Sequence, residues 1–462
     1  MKPLEKSDVL SLAREFERSE TGDERRTKRV QAMAQAIAAN PGESLPKALV
    51  TKAAREGAYK LLENSNVGFS GLLAGHLEAS GERAKGRERV LVAHDTTTMM
   101  FSTMREGLAP VLGKSSKPGF YLHASLAIGP EGVRDPLGLV ATQVWARTDQ
   151  VKAMTGKEML RWARGAKLAE EKIPDGTRTI HLMDREGDSY ELFCQLDGHD
   201  FVIRACQNRT CEKGALFDLG RAAPVRVTRT VALSARKQPK TPKAKSIYPA
   251  RRQRRVNLEV RAVPVTIKRS GYLDGRRDLP KFLELNLVHV LEPEPPPGEK
   301  PVEWFLFTTL PIDNIEAVLC VVDYYRARWM IEEFFKALKT GCQYQRLQLE
   351  TYEALLRALA IYIPVAWLLL RLRYLAGECS AETSARTVLT EAQIEVLRAC
   401  APVALPQEPT LREALLAVAA LGGHIRNNGE PGWLVLGRGL RDLSLMENVW
   451  NAALSRERRD QS

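Results

Sequence analysis

From about residue 88 the hydrophobic period of this chain changes from that of helices to that of strands, and this change limits the fold more than any other feature. "RVLVAHDTTTM" (89–99), "FYLHASLAI" (120–128) and "LGLVATQVWA" (137–146) are apolar, strand-like runs, the last two separated by the turn "GPEG". "GKEMLRWARGAKLAEEK" (156–172) then has helical periodicity, and "RTIHLMDREGDSYELFCQL" (178–196) reads as a strand, an acidic turn and a helix. Antiparallel strands followed by helix, strand and helix predict an α/β core. With 462 residues, 44% of them hydrophobic, the chain is long enough to bury two or three such cores.

The flanks differ from this core. The first 70 or so residues read as short basic helices: "TGDERRTKRVQAMAQAIAA" offers Thr21 and Glu24 as a capping box, then Arg25, Arg26, Lys28 and Arg29 ahead of an alanine-rich face. Those cations suit either a DNA-binding module or a solvated helix face. Between about 200 and 300, strand-like pieces such as "RVNLEVRAVPVTI" and "KFLELNLVHVLE" alternate with turns, which predicts a β-rich insertion. It contains the basic loop "RKQPKTPKAKSIYPARRQRR" (236–255), suited to gripping phosphates or to lying solvated. The remainder, from about 380, is helical.

A net charge of +12 favours an anionic partner. Seven scattered cysteines with no C-x-x-C pair predict reduced thiols and a cytosolic chain, and the charged stretch "MKPLEKSDVLSLAREFERSE" does not resemble a signal peptide. The most apolar run, "ALAIYIPVAWLLL" (358–370), lies between Arg357 and Arg371 and is interrupted by Pro364. It is too short to span a bilayer, so a buried helix kinked at proline is expected and no membrane partner.

One further helix carries unusual chemistry. In "YYRARWMIEEFFKALKTG" (324–341), Tyr325, Arg328, Glu332, Lys336 and Lys339 fall within an arc of about 80° at helical spacing. Ile331, Phe334, Phe335 and Leu338 fill the neighbouring arc, which can face a core. Asp95 and Asp184 each close an apolar strand-like run, and strand ends meet at one sheet edge, where a flanking helix can add Glu332. Such carboxylates repel one another unless divalent cations lie among them. Two Mg²⁺ ions there would serve phosphoryl transfer on nucleic acid. Taken singly, an Asp at a strand end is more often a turn or cap residue, and Glu186 and Asp188 compete with Asp184 as ligands.

The spacing Y-(2)-R-(3)-E-(6)-K, followed by "KTG", resembles the signature of the insertion-sequence-4 family of DDE transposases, and within it the transposon-5-like branch. "AHDTT" and "DREGD" resemble the motifs around that family's two catalytic aspartates, and "PVEWFLFTT" the strand before its signature helix. "GDERRTKR" with "EGAYKLLENSNV" resembles its DNA-end-binding domain, and "LGGHIRNNGEPGW" its C-terminal domain. The resemblance implies a ribonuclease-H-like catalytic domain over 73–375 with the β-rich insertion, a helical DNA-end-binding domain over 1–72 and a helical dimerisation domain over 376–462. It implies Asp95, Asp184 and Glu332 as the catalytic, metal-binding triad, with Mg²⁺ as cofactor and Mn²⁺ able to substitute. Tyr325, Arg328, Lys336 and Lys339 would contact DNA, Trp304 would stack on a flipped base, and Arg204 would lie near the active site. Without the family, Trp304 reads more readily as a core residue.

The implied partners are double-stranded transposon ends, target DNA and a second copy of the chain, in the bacterial cytoplasm on the nucleoid. The sequence departs from the family pattern at His94, where an acidic residue precedes the first aspartate, and at Phe335, where a histidine stands. Neither change touches the triad. A nuclease of the same fold that only hydrolyses DNA, and a non-catalytic DNA-binding inhibitor, are the rival readings.

Overall fold

The computed structural model describes residues 12–111, 117–130, 134–147, 155–236, 250–378, 383–425 and 429–460. Most of the basic loop 236–255 lies outside them.

One mixed sheet of twelve strands organises the chain. Its first part comprises β1 (Arg89–Met100), β2 (Ala109–Pro110), β3 (Pro118–Ile128), β4 (Pro136–Trp145), β5 (Arg178–Met183) and β6 (Asp200–Arg204). β4, β3 and β1 are antiparallel neighbours, whereas β1, β5 and β6 run parallel, joined by crossovers through α5 (Thr155–Glu170) and α6 (Tyr190–Gln195). The insertion adds β7 (Thr210–Cys211), β8 (Gly214–Ala215), β9 (Val225–Leu233), β10 (Arg254–Lys268), β11 (Phe282–Leu291) and β12 (Glu303–Thr308). β12 pairs antiparallel with β6, so the insertion extends the core sheet. β6 itself, with "FVIR" in a parallel strand, belongs to the core, and the added strands begin after Arg204.

Side-chain alternation assigns each face of the sheet. Leu91 and Ala93 on β1, with Ile180 and Leu182 on β5, join the main core. That core also takes in α8 (Ile315–Ala327), α9 (Trp329–Lys336) and α10 (Tyr352–Glu378). Val90 and Val92 on β1 and Met183 on β5 point the other way, under α5 and α6. Gly165 lets α5 approach closely, because a Cβ there would lie 3.0 Å from His123 Nε2.

α10 runs unbroken through Pro364 and is longer than its apolar run suggested. By length and composition Tyr352–Leu375 could cross a membrane, but residues 354–372 are buried inside the protein. It is the central helix of the main core, and Trp367 Nε1 donates to the Pro136 carbonyl at 2.7 Å.

The N-terminal residues form α1 (Glu24–Ala39), α2 (Leu45–Ala48), α3 (Lys52–Glu63) and α4 (Phe69–Glu82). The expected capping box at Thr21 is absent. Asp23 caps α1, accepting from the Arg25 amide at 2.7 Å, while Thr21 is buried with its hydroxyl on Thr27. α7 (Leu216–Ala222) lies within the insertion, and α11 (Glu391–Cys400), α12 (Leu411–Leu421) and α13 (Trp433–Asp460) close the chain. α11 and α12 do open with capping boxes, at Thr390 and Thr410.

Candidate active site

Asp95 is not at the end of its strand. β1 continues to Met100, paired with β3, and what stops near Asp95 is the parallel pairing with β5, whose last partners are Ala93 and Leu182. Asp95 and Asp184 each stand two residues beyond those partners, on the face that carries Leu91, Ala93, Ile180 and Leu182. α9 packs against β1 on this face and brings Glu332 to the same place.

The helix that supplies Glu332 is not a single regular element. α8 ends at Ala327 and α9 begins at Trp329, with Arg328 as the joint; a π-helical turn, Ala337–Gly341, then widens the last turn before the chain leaves the helix. Cys342 N donates to the Ala337 carbonyl at 2.8 Å to close it. Gln343 follows at φ 51°, in the left-handed region that disfavours a side chain.

Arg328 lies at the centre of the site. Its guanidinium donates to Glu332 Oε1 at 2.7 Å and reaches Asp95 Oδ2 at 3.5 Å. The group is buried, and its Nε has no hydrogen-bond partner among the described residues. Burial alone would lower the Arg328 pKa, but Tyr325, Glu332 and Asp95 together raise it, so the charge is firmly held.

The carboxylates respond to one another. Burial pushes the Asp95 carboxyl up to about 7, the Asp184 and Glu332 charges push the same way, and Arg328 opposes them. Burial also raises Glu332, with Asp184 adding to it and Arg328 and Lys336 working against it. All three carboxyls are half-buried and offer oxygen alone, the donor chemistry of a hard divalent cation. Asp184 also caps the short turn Arg185–Gly187, accepting from the Glu186 amide at 2.9 Å, so the turn reading holds alongside its place in the cluster.

The rival ligands are drawn elsewhere. Asp188 is buried against Arg209, at 2.7 Å, and also accepts from the Cys206 and Gln207 amides. Glu186 is exposed and pairs with Arg161 at 2.6 Å.

Around the carboxylates lie most of the cations and aromatic groups named above. Lys339 donates to Thr97 Oγ1 at 2.6 Å; burial lowers its pKa and the Asp95 charge opposes that. Tyr325 is buried, with its ring edge-on to Trp304 at 5.7 Å. Arg204, held by the Glu303 carbonyl at 3.2 Å, faces the Trp304 ring from β6. Trp304 itself is half-buried at the start of β12, neither a full core residue nor free of the core.

Lys336 departs from this grouping. Its ammonium is exposed and paired with Glu333, and it acts on Glu332 only through its charge. In the N-terminal region Arg25, Lys28 and Arg29 are exposed and Arg26 is half-buried, donating to the Thr21 carbonyl. Lys28 forms an ion pair with Glu24. None of these four lies at the carboxylate cluster in the described contacts.

Sequence reasoning missed the opposite face of the same strands. His94, His123 and His181 are buried there beside Ser125, and the sequence signal for them was a single histidine inside each of three largely apolar strands. His94 Nε2 lies 2.9 Å from His181 Nδ1, and burial holds His94 well below the ordinary imidazole range.

Comparison with known proteins gives two family matches. Residues 11–67 match the family model for transposase DNA-binding, and residues 156–368 that for a transposase DDE domain. Asp184, Trp304 and the whole of α8 and α9 fall inside the second match, and Asp95 falls before it. Among solved structures, a cryo-EM structure of the piggyBac transposase synaptic complex with hairpin DNA is similar at a TM-score of 0.38 and 10% identity. The match covers 82% of this chain and 73% of that one.

Proposed function

We propose that this chain, which carries a transposase DNA-binding domain and a DDE transposase domain and so is a DNA-cleaving, strand-transferring enzyme, is a cut-and-paste transposase of the transposon-5-like branch of the insertion-sequence-4 family. The observation that supports the reading is that Arg328 bridges Asp95 and Glu332, and that both of these carboxyls feel the charge of Asp184. In this reading the strands β4, β3, β1, β5 and β6 are a ribonuclease-H-like core, consistent with their order and with the parallel run from β1 to β6.

DDE transposases work with divalent metals, and Asp95, Asp184 and Glu332 would hold two Mg²⁺ ions here, with Mn²⁺ able to substitute. When bound, the ions supply activation of the attacking hydroxyl and stabilisation of the leaving oxygen. The chain's own residues do the rest. Arg328, whose Nε is unsatisfied, takes a backbone phosphate beside the cleavage point, with Lys339 and Tyr325 holding the strand on either side. Trp304, half-buried and flanked by Arg204, offers a stacking surface for a base turned out of the duplex end. Exposed Lys336 is free to contact DNA only by giving up Glu333, so its role is the more distant one.

The N-terminal helices bind DNA ends, with exposed Arg25 and Arg29 as phosphate contacts, and Lys28 after it parts from Glu24. Cleavage proceeds through a hairpin on each end, and two copies of the chain hold the two ends together. The dimer reading is supported by Leu445, Val449 and Trp450, apolar, exposed and neighbouring on α13.

A cleavage assay with Mg²⁺ on the element's own ends tests the reading, comparing this chain with Glu332→Ala. The parent is expected to make hairpinned ends, and the variant to bind without cutting. Equal cutting by both removes Glu332 from the site and overturns the proposal.

A further inference from the structure

Behind the carboxylate cluster, on the other face of β1 and β5, a line of polar groups runs through the sheet to the surface. Ser125 Oγ lies 2.8 Å from His94 Nδ1, and His94 Nε2 lies 2.9 Å from His181 Nδ1. His181 Nε2 lies 3.1 Å from Glu170 Oε1, and that same oxygen is 3.3 Å from His199 Nδ1. Ser125, His94 and His181 are fully buried, while Glu170 is half-buried and His199 exposed.

Three elements converge at the outer end: the C-terminus of α5 gives Glu170, the middle of β5 gives His181, and the turn before β6 gives His199. One ligand atom from each lies within 4.8 Å of the others. We propose that Glu170, His181 and His199 form a binding site for one transition-metal dication of the Zn²⁺ class, separate from the carboxylate cluster. The fourth position would belong to water, since His199 opens to solvent.

The donor chemistry separates the two sites. Two imidazoles and one carboxylate match Zn²⁺ and its neighbours, whereas Asp95, Asp184 and Glu332 offer oxygen alone and suit Mg²⁺ or Mn²⁺. The buried histidine and serine then have a role that packing does not require. A metal-ligating imidazole needs a partner on its other nitrogen to fix its tautomer, and His181 has one in His94, which has one in Ser125.

The line can also run in either direction. Without an ion, His181 Nε2–H donates to Glu170, its Nδ1 accepts from His94 Nε2–H, and His94 Nδ1 accepts from the Ser125 hydroxyl. With an ion on His181 Nε2, the protons sit on His181 Nδ1 and His94 Nδ1, and Ser125 Oγ accepts. Each imidazole keeps one proton in both states, so the rearrangement costs no net proton. The second Glu170 oxygen is already held by Thr179 Oγ1 at 3.2 Å. An ion there would fasten the end of α5 and the start of β6 to β5, the strand that leads into Asp184 three residues beyond His181.

The inference does not rest on the transposase reading, and its test reads no DNA chemistry. The full chain, stripped of metal and kept in excess Mg²⁺, is titrated with Co²⁺, whose visible absorption reports nitrogen ligands in a low-coordinate site. One equivalent is expected to bind with an absorption band, to be displaced by Zn²⁺ and to raise Tm. His199→Ala and Glu170→Gln should lose both the band and the Tm rise, while Glu332→Gln keeps them. His199 is exposed, so its variant is expected to fold, and far-UV circular dichroism checks that. No band in the parent, a band that survives His199→Ala, or one lost with Glu332→Gln overturns the site.

Discussion

Arg328, at the joint of α8 and α9, bridges Glu332 on α9 and Asp95 on β1, at 2.7 and 3.5 Å, and so sets one positive charge between two carboxylates that come from elements far apart in the chain. In the proposed reading the guanidinium stands in for the positive charge that a metal ion would bring to the cluster. Removing it should have two effects. Arg328→Ala takes the hydrogen-bonded counter-charge from Asp95 and Glu332 and leaves only the weaker influence of Lys339 and Lys336, so the metal-free protein should melt earlier than the parent, and added Mg²⁺ should narrow the difference. Cleavage should fall by roughly 10² to 10³, the usual cost of one lost charge-stabilising donor. Differential scanning fluorimetry with and without Mg²⁺, beside a gel assay, checks both effects. A variant as stable and as active as the parent would remove Arg328 from the centre of the site.

The raised Asp95 carboxyl gives a pH dependence whose sign can be worked out. Its folded pKa of about 7 stands above the unfolded value of 3.8, so between those values the folded state binds more protons than the unfolded one. Its contribution to stability is fully present below 3.8 and is lost as pH rises through about 7. Within that window the loss approaches about 1.4 kcal/mol per pH unit from this group. Metal binding must displace that proton, so Mg²⁺ affinity should rise through the same window. Denaturant melts of the metal-free chain from pH 5 to 8 should show the fall, and Asp95→Asn should flatten it.

Asp188 and Glu186 flank Asp184 and are easily confused with it in sequence, but they predict different phenotypes. Asp188 is buried with Arg209 and two backbone amides, so Asp188→Ala strands a buried guanidinium and should cost about 3 to 5 kcal/mol of stability. Glu186 is an exposed partner of Arg161, and Glu186→Gln should leave melting and cleavage close to those of the parent. Asp184→Asn should leave the fold intact and stop cleavage. Melting and cutting measured on all three variants separate the roles.

The carboxylate cluster was legible because its geometry follows from local rules. Strand alternation fixes the faces of Asp95 and Asp184, and helical spacing fixes Glu332 relative to Arg328. The register that sets the two aspartates side by side was not legible, because it depends on a crossover through α5 and on pairing between residues far apart in the chain. The joint at Arg328 and the π turn after Lys336 were also hidden, and they are why Lys339 turns in to Thr97 while Lys336 turns out to Glu333. At Thr21 a valid capping pattern lost to a stronger local competitor, Asp23, once Thr21 was buried against Thr27. The histidine line escaped notice because its members are scattered over α5 and four strand or turn positions, and only the sheet assembles them.

Trp304 tests whether the aromatic group beside the cluster serves packing or DNA. Its ring meets Tyr325 edge-on and lies beside Arg204, while part of its surface stays open. If it only fills space, Trp304→Ala should lower Tm and leave the activity of the surviving folded enzyme unchanged. If it stacks on a displaced base, the variant should lose about 1 to 3 kcal/mol of interaction with the distorted end, which is roughly a tenfold to hundredfold slower step, while binding to intact duplex changes little. Trp304→Phe should recover part of that loss, because a smaller aromatic face still stacks. A 2-aminopurine placed at the end of the DNA reports the event directly: its fluorescence should rise on leaving the helix, be quenched again against Trp304, and stay high in Trp304→Ala. A fluorescence trace identical in parent and variant assigns the tryptophan to the core.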